Sequence, residues 1–75
     1  MTLTKRLPKE VIPKDLLDDD MVYVFQADEG EVVYSINKWW NDNYELCNGI
    51  SGKCEIFDTV DQCIEHITKN GDVVV

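Results

Sequence analysis

The side chains best suited to nucleophilic or metal chemistry in this 75-residue sequence are three cysteines and one histidine. Cys47, Cys54, Cys63 and His66 form the pattern C-x6-C-x8-C-x2-H. Structural zinc sites normally pair ligands two to four residues apart, and only Cys63 and His66 meet that spacing. Cys63 is also claimed by the apolar stripe of a helix, described below, so no metal is expected. Nucleophilic catalysis needs a cysteine or serine held against an oriented histidine. His66 instead falls on the polar side of that helix, beside Glu65 and Lys69, a favourable i,i+4 pair. There is no glycine-rich phosphate loop, and carboxylates are too abundant for any one pair to stand out. The chain reads as a non-enzymatic protein without a cofactor. An odd cysteine count argues against a secreted disulfide scaffold, so reduced thiols in a cytoplasm are expected.

Carboxylates and tryptophans are the other groups that could act. Seven basic residues stand against fifteen acidic ones, for a net charge of −8. The balance is uneven along the chain. Residues 1–14 carry four basic residues against one acid, or +3, and residues 15–75 carry three lysines against fourteen acids, or −11. Such an excess repels nucleic acid and anionic membranes and attracts basic surfaces, although it also serves solubility. Nucleic-acid binding is disfavoured, because nonspecific affinity comes from Lys and Arg neutralising phosphates. The run Asp18-Asp19-Asp20 lacks the spaced D-x-D-x-D-G pattern of a cation loop and reads as a solvated loop. Trp39 and Trp40 are adjacent, so they must diverge in a strand or a turn. Either one packs in the core while the other rests on a strand edge, or an exposed Trp is an interface anchor.

Seventy-five residues make one domain, which buries only about 60% of the surface of its unfolded chain. No apolar run approaches the ~20 residues that span a bilayer, and the polar stretch after Lys5 and Arg6 does not resemble a signal peptide.

The elements that position these groups are legible from pattern. Residues 59–70 read as an amphipathic helix. Thr59 and Gln62 make a capping box, Asp58 and Asp61 favour the positive end of the dipole, and Asn70-Gly71 supplies the stop. Val60, Cys63, Ile64 and Ile67 lie on one stripe. Met21–Ala27 and Glu31–Asn37 read as strands around a three-residue turn, Asp28-Glu29-Gly30. Tyr44–Asn48 and Lys53–Phe57 read as a second hairpin, so that residues 21–57 hold two. Pairing Leu46 with Cys54 and Tyr44 with Ile56 gathers the apolar residues on one face. A shift of one residue would oppose Cys47 to Cys54 but place Glu45 beside Ile56, which burial disfavours. Residues 1–20 read as an N-terminal arm with one turn, and 72–75 as a short strand that closes the sheet or pairs with its twin in a dimer. The expected fold is α+β: a small antiparallel sheet of about four to five strands with one C-terminal amphipathic helix on one face. In the first strand Val22 and Val24 face one way, and Met21, Tyr23 and Phe25 the other. One helix covers only one face, so the arm, a second subunit or a partner must cover the other.

These features lead to an acidic binding protein that occupies the basic, nucleic-acid-binding surface of another protein, its carboxylates standing in for phosphates. Asp18, Asp19, Asp20, Asp28, Glu29 and Glu31 would carry the mimicry around the start and tip of the first hairpin. Asp42, Glu45 and Glu55 would extend it, with Trp39 or Trp40 as apolar anchor. A phage- or mobile-element-encoded inhibitor of a nucleoid protein, polymerase or nuclease fits this description. A dimeric adaptor using Tyr23, Phe25 and the Trp pair is the alternative, and an antitoxin or immunity protein is a third.

Overall fold

A computed structural model describes residues 1–75. The order of elements is β1 (Thr2–Arg6), α1 (Pro8–Val11), β2 (Met21–Gln26), β3 (Val32–Lys38), a 3-10 turn at Trp40–Asp42, β4 (Tyr44–Asn48), β5 (Cys54–Phe57), α2 (Val60–Lys69) and β6 (Val73–Val74). The fold is α+β. Its sheet has six strands in the order β5-β4-β3-β2-β1-β6. Two corrections follow from the N-terminal segment. What the sequence suggests is an arm is strand β1, antiparallel to β2. The terminal strand β6 then runs parallel to β1, which makes the sheet mixed.

The order puts β5 on one edge and β6 on the other, so the chain must cross the sheet between them. Six strands at about 4.8 Å spacing span roughly 24 Å. The ten residues of α2 cover about 15 Å of that, laid over a single face. The helix is therefore both the crossover and the lid of the core. Its start is as the sequence suggests: Thr59 Oγ1 accepts from the Gln62 amide at 3.1 Å. The Gln62 side chain reaches back one residue further than expected, and its Oε1 accepts from the Asp58 amide at 2.9 Å. Gly71 takes a φ of +95° after the last turn, the left-handed stop that glycine adopts without steric cost.

Leu3, Phe25, Tyr34, Ile36 and Leu46 on the sheet, with Cys63 and Ile67 on the helix, form the buried core. Val33 joins them, although alternation would send it to the far face. The β2–β3 register slips between Phe25/Tyr34 and Gln26/Val32, so Val33 is an unpaired bulge residue, and bulges re-aim side chains. Val24 is fully buried but lies outside this cluster, on the face shared with Arg6 and Ser35. On that side α1 packs against β2, with Pro8 buried. The N-terminal segment thus covers the first half of the second face, and no element covers the rest.

The second hairpin holds the sharpest correction. Its register pairs Cys47 with Cys54, Leu46 with Glu55, Glu45 with Ile56 and Tyr44 with Phe57, and Cys47 and Cys54 are joined as a disulfide. This is the arrangement that burial disfavoured, and the reduced state expected for these two thiols does not hold. The burial argument fails because β5 is an edge strand. Ile56 can stay 44% exposed, while Phe57 packs against the core in its place. Glu55, brought to the helix side, is met by His66 Nε2 at 3.0 Å.

Candidate functional site

The loop before β2 is shaped by its own aspartates. Asp18 Oδ1 accepts from the Asp20 amide at 3.1 Å, and the Met21 amide donates to the Asp18 carbonyl at 3.1 Å. The Asp20 carbonyl then accepts from the Lys38 amide at 2.7 Å, which locks this loop to the end of β3. Trp39 and Trp40 follow at once. The turn that carries them is closed by two backbone bonds, Trp39 N to Asn43 O at 2.8 Å and Asn43 N to Trp40 O at 3.1 Å. Asn41 and Asp42 sit at φ +57° and +62°, a left-handed region that Asn and Asp visit more readily than other side chains. That pair of residues makes the turn tight enough to push its tryptophans outward. Neither enters the core, contrary to one of the two readings of the sequence: Trp39 is 42% exposed and Trp40 75%.

Asp18, Asp20, Asn37, Lys38, Trp39, Trp40 and Glu45 together line an open cavity of about 370 Å³. Glu45 enters it from β4, opposite Asn37. The charge inside is lopsided. No ion pair in the chain engages Asp18, Asp20 or Glu45. The one basic residue, Lys38, turns its ammonium to Asp42 at 3.5 Å and over the Tyr44 ring at 4.7 Å. Tyr44 packs against the helix-covered core, so the lysine leans toward the other side of the sheet. Three carboxylates without cationic partners thus face a cavity walled by two exposed indoles.

The other sequence-derived residues are distributed elsewhere. Asp19 belongs to a neighbouring groove with Leu7, Pro8, Leu17 and Met21. Asp28, Glu29 and Glu31 sit at the far tip of the β2–β3 hairpin, about 20 Å from Asp20 along a six-residue strand. Asp42 joins Asp58 and Asp61 at the start of α2, a second acidic concavity that the sequence gives only as helix-capping charge. Glu55 is spoken for by His66. Of eleven suggested residues, five converge: Asp18, Asp20, Trp39, Trp40 and Glu45. The aromatic patch of Tyr23, Phe25 and the Trp pair is not assembled, because Phe25 is fully buried and Tyr23 packs against the core under the Lys5 ammonium.

The C-x6-C-x8-C-x2-H set does not converge. Cys63 is buried in the core, where desolvation, only partly opposed by a backbone hydrogen bond, pushes its thiol up to about 11. Cys47 and Cys54 lie on the opposite, open face. No helix is long and apolar enough to cross a membrane.

No protein-family model, curated protein or solved structure matches this chain. Its function has to be read from the chemistry of the site.

Proposed function

We propose that this protein is a non-catalytic acidic module that occupies the basic, nucleic-acid-binding surface of a partner protein through the Asp18–Asp20–Trp39–Trp40–Glu45 cavity. The observation that carries the reading is the union of unpaired carboxylates with exposed indoles in one concavity. Carboxylates already satisfied by internal lysines would offer a partner little. Asp18, Asp20 and Glu45 are available to bond guanidinium or ammonium groups, and charge-assisted bonds of that kind are about twice as strong as neutral ones. Trp40 supplies rigid apolar area beside them, and such residues anchor interfaces. The overall charge of −8 steers a basic partner toward the protein from a distance. In this mechanism the carboxylates take the place of phosphates, and the partner's nucleic acid is excluded by occupancy. The tip acids Asp28, Glu29 and Glu31 contribute to steering more than to contact.

The test is capture of partners on the immobilised chain from nuclease-treated host lysate, eluted by a salt gradient, in parallel with Asp18→Asn/Asp20→Asn/Glu45→Gln and with Trp40→Ala. The expected outcome is a basic nucleic-acid-binding protein, released at moderate salt, displaced by duplex DNA, and lost from both variants. A neutral or acidic partner that survives high salt and binds the triple variant equally well overturns the reading.

A further inference from the structure

The open face carries a second group of side chains that partner binding does not require as a unit. Cys47 on β4 and Cys54 on β5 are directly opposed. Glu45 lies two residues before Cys47, so it projects from the same face of the strand. The two sulfurs and a Glu45 carboxylate oxygen all lie within 4.8 Å of one another. With the Cys47–Cys54 bond closed, these are a disulfide beside a carboxylate. With it open, they are two thiols and a carboxylate, the mixture of sulfur and oxygen donors that zinc accepts.

We infer that reduced Cys47 and Cys54, together with Glu45, form a binding site for one thiophilic divalent cation of the Zn²⁺ type, and that the disulfide is the closed state of the same site. The inference does not depend on the partner-binding reading, although Glu45 also lines that cavity.

Three features support it. The first is a frame that exists before any ligand arrives. The two cysteine Cα atoms are held 4.1 Å apart on strands whose turn is tied by Asn48. The Asn48 side chain accepts from the amides of Ile50 and Ser51 at 2.8 and 3.1 Å, and its backbone amide donates to the Lys53 carbonyl at 2.8 Å. Tetrahedral coordination with zinc–sulfur bonds near 2.3 Å needs sulfurs roughly 3.8 Å apart. Rotation of the two side chains about χ1 supplies that once the bond is open. The second is access. Cys54 is exposed and no helix covers this half of the sheet, so a reductant and a hydrated metal can both approach, and an outward position remains for water. The third is selectivity. Cys63, the one other thiol, is fully buried beneath the opposite face and cannot exchange with the pair while the fold persists.

The chemistry balances in two steps. A small dithiol breaks the Cys47 Sγ–Cys54 Sγ bond by supplying two electrons and two protons, and closes its own disulfide. The cation then displaces the two thiol protons, which pass to solvent, and gains two metal–sulfur bonds and one bond to the Glu45 carboxylate.

The experiment uses the full chain, reduced with a phosphine, transferred to oxygen-free buffer and titrated calorimetrically with zinc chloride. The expected result is one equivalent bound, with two protons released, seen as a dependence of the heat on the buffer. The disulfide form takes up none. Cys63→Ala binds as the parent does, Cys54→Ser abolishes binding, and Glu45→Gln weakens it at least about tenfold. In the unsubstituted reduced chain, zinc should also protect Cys47 and Cys54 from iodoacetamide, judged by peptide mass spectrometry. That readout needs no variant to fold. The inference is overturned if the reduced chain binds no zinc, if Cys54→Ser binds as well as the parent, or if alkylation is indifferent to the metal.

Discussion

The two faces of one sheet divide the work of this molecule. On the face beneath α2, Leu3, Phe25, Ile36, Cys63 and Ile67 are fully buried, and even its polar groups are engaged: Tyr34 donates to Asp72 at 3.4 Å, and Glu55 meets His66. On the other face, beyond the reach of α1, β3 to β5 present Ser35, Asn37, Glu45, Cys47, Cys54 and Ile56 with no element above them. Consecutive residues of β4 show the contrast at its smallest scale. Leu46 is buried, while Glu45 and Cys47 on either side of it are only partly covered. Apolar burial contributes about 25 cal/mol per Å², so stability should be concentrated under the helix. The open face is left free to carry charge, indoles and sulfur.

The strongest way to break that division is to cut into the covered face. Phe25→Ala should cost about 3–5 kcal/mol. A domain of this size has on the order of 4–11 kcal/mol in total, so the variant should be unfolded or nearly so by circular dichroism and urea titration. A loss below about 1 kcal/mol would mean that the core lies elsewhere. Next in size is the response of Cys63 to pH. Its thiol is held at about 11 in the fold against an ordinary 9.0. The neutral form is therefore favoured by folding, and the unfolded chain sheds its proton first as pH rises. The stabilisation is intact below pH 9 and is lost as pH climbs toward 11, at about 1.4 kcal/mol per unit. Urea midpoints measured across that window should fall for the parent, and the part of the slope due to the thiol should vanish in Cys63→Ala.

The open face should answer more weakly. Reducing Cys47–Cys54, with seven residues of separation, releases a short loop and should lower stability by about 2 kcal/mol. Unfolding with and without reductant measures it. Thr59→Ala removes the bond from the Gln62 amide and should cost about 1 kcal/mol, again by urea titration. A single cap on the helix thus counts for about half of what the disulfide of the open face contributes.

How much of this is written in the sequence depends on the range of the interaction. The helix, its Thr59 cap and its Gly71 stop are local signals, and they are where the pattern puts them. The turn at Gly30 is local too: its amide donates to the Ala27 carbonyl at 2.9 Å. What the pattern misses is set by partners distant in the chain. Thr2–Arg6 resembles an arm because its strand pairing is completed by β2 and by the last residues of the chain. The β4–β5 register goes wrong because alternation presumes that every apolar residue on a strand is buried. An edge strand escapes that demand: Glu55, on the helix side, stays more than half exposed and meets His66 across 11 residues of sequence. The acidic site is legible in residue type but not in grouping. Asp18, Asp20 and Glu45 meet the tryptophans only because β2, β3 and β4 lie side by side, and the same sheet carries Asp28 and Glu29 to its other end.

The smallest expected change in stability is the one that most sharpens the contrast between the faces. Trp40 is the most exposed large apolar side chain of the fold, at 75%, and it sits on a turn whose closing bonds are made by backbone atoms. Truncating it removes little buried area, so Trp40→Ala should leave the urea midpoint within about 0.5 kcal/mol of the parent. A structural tryptophan would behave otherwise, with a loss of several kcal/mol of the kind expected for Phe25. Near-neutral stability has a further implication. An indole that the fold does not need is exposed to solvent beside three unpaired carboxylates, where it should favour nonspecific association. If Trp40→Ala also retains all partner binding, the residue serves neither fold nor interface and the cavity loses its anchor. If binding falls while stability holds, the open face is where this protein meets its partner.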